Sequence, residues 1–98
     1  MKIDVSRNGG KTTIALSGRL DTTTAPQLEA QLREVLNGAA ELELDFAELA
    51  YISSAGLRVL LMAQKAMNKQ GRMTVCNVNE TILEVFEVTG FTDILTIV

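Results

Sequence analysis

Apolar and polar residues alternate at the start of the chain, with Ile3 and Val5 followed by Ile14 and Leu16, the period of a half-buried strand. Asn8-Gly9-Gly10 separates the two stretches as a turn signal, so Lys2–Arg7 and Thr12–Ser17 are expected to form an antiparallel hairpin. The period then lengthens. Leu28, Leu32, Val35 and Leu36 fall on one helical face, with Gln27, Gln31, Arg33 and Glu34 largely opposite. Thr24-Ala25-Pro26-Gln27 reads as the start of this helix: Thr24 to cap, Gln27 to reach back, and Pro26 with no N–H to waste in the first turn. Asn37-Gly38 is its stop. Alternation returns at Leu42, Leu44 and Phe46, a third strand. An amphipathic stretch from Gly56 to Gln70, ended by Gly71, predicts a second helix, and Met73 to Val78 a fourth strand. Asn79 is a good cap for a third helix with Ile82, Leu83, Val85 and Phe86 on its apolar side and Gly90 as its stop. Leu95 to Val98 is expected to make a short last strand.

Strands that alternate with helices after an initial hairpin predict an α/β fold. Its mixed β-sheet combines an antiparallel N-terminal hairpin with parallel βα units, and the helices pack against it. The 98 residues suit one domain, 1–98, and 47% of them are apolar, a globular composition. The strand-like pattern begins at Met1 and leaves no room for a signal peptide, which points to the cytoplasm. No apolar run approaches the roughly 20 residues of a membrane span, so direct membrane insertion is not expected.

Composition removes several chemistries. The net charge is −3, with 12 acidic against 9 basic residues and no basic cluster, the wrong sign for a nucleic-acid partner. Histidine is absent. The commonest general base, the usual Ser-His pairings and most zinc sites go with it, so no metal, no cofactor and no catalytic group is expected. A lysine base for a nucleophilic serine is no better placed, because Lys65 and Lys69 lie three turns or more down the helix from Ser54. Cys76 is alone and sits in the apolar run Met73–Val78, where a small buried thiol is the plain reading.

What remains is the run Tyr51-Ile52-Ser53-Ser54-Ala55-Gly56-Leu57. It joins a strand to an amphipathic helix and puts two serines where several backbone N–H groups lack intrahelical partners. Those groups and the helix dipole favour negative charge, so a hydroxyl there carries a phosphate without local electrostatic penalty. Serine is also a preferred helix cap, and position alone favours that use. Along the helix, Ser54, Arg58, Met62, Lys65 and Lys69 make one stripe, while Leu57, Leu60, Leu61, Ala63 and Met67 supply apolar surface for the sheet. Met62 is odd among polar neighbours, and adaptable methionine and arginine are enriched at partner interfaces.

Gly18-Arg19-Leu20-Asp21, Leu44-Asp45-Phe46, Ile52-Ser53-Ser54-Ala55-Gly56-Leu57 and Thr89-Gly90-Phe91 stand in an order and spacing that resemble the anti-sigma factor antagonists. These are small bacterial members of the STAS domain family. The resemblance spans essentially the whole chain. It implies an antagonist that binds an anti-sigma factor serine kinase when unphosphorylated and so frees the sigma factor. Phosphorylation by that kinase switches it off, and a separate PP2C-type phosphatase restores it. The acceptor position of the family matches Ser54, with Ser53 as second candidate, and Asp21 matches an acidic position near the acceptor. Many relatives carry aspartate before the acceptor and serine after it. Ser53 and Ala55 stand at those places here, so one competing hydroxyl is lost and another gained.

The expected partner-binding set is Asp21, Thr22, Ser53, Ser54, Arg58 and Met62, on a monomer or weak dimer. Asp21 has equal readings as a helix-start residue, a turn former, or a group that tunes the serine or meets the kinase. Glu80, Glu84 and Glu87 read as the solvated side of the third helix, and Phe86 and Phe91 as core. The alternative function is an unphosphorylated STAS accessory or scaffold subunit of a membrane transporter or sensory complex.

Overall fold

The computed structural model describes residues 1–98 and places one four-stranded sheet beneath three helices. Strand β1 (Lys2–Asn8) turns through Gly9 into β2 (Lys11–Leu20), and the two pair antiparallel with Val5 opposite Ile14. Gly9 has φ +66°, the left-handed conformation that a tight hairpin turn asks of its residues. Helix α1 (Ala25–Val35) carries the chain to β3 (Glu41–Ile52), which lies parallel to β2. Helix α2 (Ser54–Gln70) leads to β4 (Arg72–Cys76), parallel to β3. Helix α3 (Glu80–Thr89) and a single 3-10 turn at Phe91–Asp93 complete the chain. The strand order is β1-β2-β3-β4. This is the mixed sheet that the hydrophobic pattern predicts.

Register explains the single core. Ile14 pairs with Leu44 and Leu44 with Val75, so the buried side chains of neighbouring strands share one face of the sheet. All three helices cover that face, because their buried residues join the strands' in one cluster of 23 apolar side chains. Phe46 from β3 meets Phe86 from α3 with ring centroids 6.4 Å apart. The opposite face shows half-buried Thr13, Ala15, Ser17, Glu43 and Asp45.

Four local expectations need correction. The third strand does not stop at Phe46 but runs to Ile52. Its pairing with β2 passes from Ala15↔Asp45 to Ser17↔Glu48 and from Gly18↔Leu49 to Arg19↔Tyr51, so β3 carries one extra residue at each step. Each bulge shifts the inward positions by one, so the buried series Leu42, Leu44, Phe46 continues as Leu49 and Ile52. Asp45 secures the first bulge, accepting from the Ala47 N–H at 3.0 Å and the Asn77 amide at 2.9 Å.

Thr24 does not cap α1 with its side chain. Its hydroxyl accepts from the Asp21 N–H at 2.9 Å and lies 2.8 Å from the Arg19 carbonyl, which it is placed to donate to. Gln27 makes no side-chain return bond; its N–H instead meets the Thr24 carbonyl at 3.0 Å. The last strand shrinks to a single parallel bridge between Val75 and Ile97, with Val75 N–H on Thr96 and Val98 N–H on Val75, both at 2.9 Å. Finally, Cys76 and Phe91 are half-buried rather than enclosed, Phe91 lying stacked on Phe86.

Two glycines set how the helices meet the sheet. A Cβ at Gly71 would strike the Ala40 carbonyl, so only glycine fits where α2 ends, and Arg72 N–H reaches that same oxygen at 3.1 Å. A Cβ at Gly56 would lie 2.7 Å from Leu20 Cγ and 2.9 Å from Ile52 Cγ1. The start of α2 is therefore wedged against the ends of β2 and β3.

Candidate partner-docking site

The wedge at Gly56 assembles three pieces at one end of the sheet: the loop from β2 to α1, the last residues of β3, and the first turn of α2. Ser53 N–H donates to the Leu20 carbonyl at 2.9 Å, which ties the serine run to the residue before Asp21. The loop itself is held internally. Asp21 Oδ1 accepts from the Thr23 N–H at 3.0 Å and the Thr24 N–H at 3.1 Å, and the Asp21 carbonyl accepts from Ala25 N–H at 2.8 Å. Bonds from Thr24 foremost, then Thr23, and the Arg19 charge hold the Asp21 carboxyl below its ordinary value, against a smaller opposing effect of desolvation. Arg19 sits 3.7 Å from that carboxylate and lays its guanidinium 4.1 Å above the centre of the Tyr51 ring. Of the readings open for Asp21, the geometry supplies two: its carboxylate forms the turn through Thr23 and Thr24, and its carbonyl receives the first N–H of α1. The Arg19–Tyr51 stack has no warning in the hydrophobic pattern, because the second bulge is what pairs these two residues.

The two serines are not equivalent. Ser53 is the N-cap of α2 in extended conformation, yet its side chain makes no capping bond, and its Oγ is enclosed without any hydrogen-bond partner. Ser54 is the first helical residue and is exposed. The first intrahelical bond near this end is Leu57 N–H to the Ser53 carbonyl at 3.0 Å, so the N–H groups of Ser54, Ala55 and Gly56 have no backbone acceptor. The start of α2 also lacks any acidic residue. It is an uncapped, positively polarised helix end with an accessible hydroxyl on it.

From Ser54 the exposed stripe continues down α2. Arg58 is exposed one turn on and lines two grooves. One, of about 250 Å³, lies between the starts of α1 and α2 and includes Thr22, Pro26 and Ala55. The other, of about 330 Å³, is formed by Arg58, Leu61, Met62 and Lys65. Leu61 belongs here: it is half-buried, not turned wholly to the sheet as its spacing suggests. Met62 is also half-buried, packing partly on the core. Thr22, Ser54, Arg58 and Met62 thus share one surface, Ser53 lies beneath it, and the Asp21 carboxylate is occupied within its own loop. No group of three His, Cys, Asp or Glu side chains converges to hold a metal, and no helix is long and apolar enough to cross a membrane.

The family profile described as "Mlab, STAS domain" matches residues 3–97. BtrV of Bordetella bronchiseptica, provisionally named an anti-sigma factor antagonist, is 38% identical over 96 residues, covering 96% of this chain and 83% of that protein. The anti-sigma-B factor antagonist of Bacillus subtilis is 29% identical over 98 residues, covering 99% of this chain and 90% of its own. A crystal structure of an anti-sigma factor antagonist from Mycobacterium paratuberculosis superposes with a TM-score of 0.90 at 22% identity, covering 98% of this chain and 83% of that one. The chain belongs to the STAS domain family, among the anti-sigma factor antagonists. Members of that group are regulatory proteins, not enzymes, and their partners are anti-sigma factors.

Proposed function

We propose that the 98 residues act as a single STAS domain that binds an anti-sigma factor serine kinase through the α2 surface and frees the sigma factor. Phosphorylation of Ser54 by that kinase ends the binding, and a PP2C-type phosphatase reverses it in the cytoplasm. The observation that carries this reading is the contrast between the serines: Ser54 is exposed on an unfilled helix start, whereas the Ser53 hydroxyl is enclosed. A kinase reaches the first and not the second.

The physics of the switch follows from charge and fit. A phosphoserine brings about −1.5 to −2 charge and three acceptor oxygens at neutral pH. On its own helix the group is stabilised by the unpartnered N–H groups of Ser54, Ala55 and Gly56, so the fold changes little. At a packed interface the same group must be desolvated and collides with what faces it. A hundredfold loss of affinity needs only about 2.8 kcal/mol. The test is affinity for the organism's own anti-sigma factor by isothermal titration calorimetry: Ser54→Ala binds like the unmodified protein and Ser54→Asp at least tenfold more weakly. Equal affinities would sink the electrostatic switch.

A further inference from the structure

The chain is acidic overall, yet α2 carries Arg58, Lys65 and Lys69 and not one carboxylate. None of the three takes part in an ion pair. Glu29, which shares the first groove with Arg58, is already bound to Arg33 at 2.7 Å. These free cations stand on one helical stripe beside the apolar slot made by Leu61 and Met62. Both apolar side chains are half-buried, so the slot has a firm floor.

We propose that this groove receives an acidic amphipathic segment of the protein partner, its apolar side chains entering between Leu61 and Met62 and its carboxylates meeting Arg58, Lys65 and Lys69. The inference rests on the antagonist reading above and names the chemistry of the partner's side. It also sharpens the switch. Ser54 and Arg58 are four apart on α2, so a phosphate on Ser54 draws the Arg58 guanidinium to itself and repels the incoming carboxylates at the same time.

The probes are two fluorescein-labelled amphipathic peptides, one with glutamates flanking a pair of leucines a turn apart, the other with lysines in their place. Fluorescence anisotropy with the full chain is expected to show binding of the glutamate peptide alone, weakening as salt rises. Arg58→Glu with Lys65→Glu is expected to lower that binding roughly tenfold or more, since two attractions become repulsions. Met62→Asp is expected to weaken it without changing the far-ultraviolet circular dichroism. Equal binding of both peptides, or no change in the double variant, overturns the proposal. Self-association in sedimentation velocity that the double variant abolishes also overturns it. The occupant would then be a second copy, whose α3 offers Glu84 and exposed Val88. The organism's anti-sigma factor separates the two readings. If Ser54→Asp loses it and the double variant keeps it, the antagonist role stands and the groove falls. If the wild type never binds it while the peptide selectivity persists, the antagonist reading falls instead.

Discussion

Replacing Gly56 by alanine tests whether the start of α2 is wedged against the sheet. Helix propensity alone says that the change stabilises the protein, by at most about 1 kcal/mol. The structure says the opposite. The new methyl would sit 2.7 Å from Leu20 Cγ, 2.9 Å from Ile52 Cγ1 and 3.0 Å from Leu20 Cδ2. Neither neighbour swings aside into solvent, because Leu20 is 0% and Ile52 4% exposed. Overpacking of this kind costs about 1–3 kcal/mol. The net is a loss of roughly 0.5–2 kcal/mol, and a domain of this size shifts about 4–8 °C in Tm per kcal/mol, so the midpoint falls by roughly 2–16 °C. Thermal unfolding followed by circular dichroism at 222 nm reads it directly. A midpoint equal to or above that of the wild type would refute the wedge, and with it the argument that Gly56 sets the position of Ser53 and Ser54.

Asn79 caps α3 through its Oδ1, which accepts from Ile82 N–H at 2.9 Å, while its Nδ2 donates to the Leu49 carbonyl at 2.9 Å. Asn79→Ala is expected to cost about 2 kcal/mol in urea denaturation, and Asn79→Asp, which keeps only the cap, clearly less. Asp21 has a depressed pKa in the folded state, so its contribution to stability is present above the unfolded pKa and is lost as pH falls through the folded one. An NMR titration of the side-chain carbonyl carbon is expected to show Asp21 ionising below the usual aspartate value. The Thr23 and Thr24 amide signals should move with it, since they donate to that carboxylate; independent behaviour would remove the bonds from the account.

The order of elements was legible because periodicity and turn residues agree for most of the chain. Asn8-Gly9-Gly10 and the alternation on either side of it define the hairpin, and Asn79 with Gly90 brackets α3 where the structure has them. The end of β3 was not legible. Its two bulges turn a period of two into a period of three, and Ala47, Glu48, Ala50 and Tyr51 then read as loop. The same bulges hid the Arg19–Tyr51 stack. Thr24 misled for a different reason: serine-like residues at helix starts are read as caps, but its hydroxyl is engaged by the Asp21 N–H and the Arg19 carbonyl, and the Gln27 N–H meets the Thr24 carbonyl instead. At the site, spacing placed Ser54, Arg58 and Met62 on one stripe correctly. It carried no information on which serine hydroxyl is enclosed, because that depends on how closely α2 approaches Leu20.

Whether Ser54 carries the switch is read by phosphopeptide mapping of the protein isolated from its own organism, under growth and under stress. Phosphate is expected on Ser54 in an amount that changes with condition, and none in Ser54→Ala. Phosphate on Ser53 would contradict the exposure argument, and its absence under every condition would contradict the switch and favour an unphosphorylated accessory role.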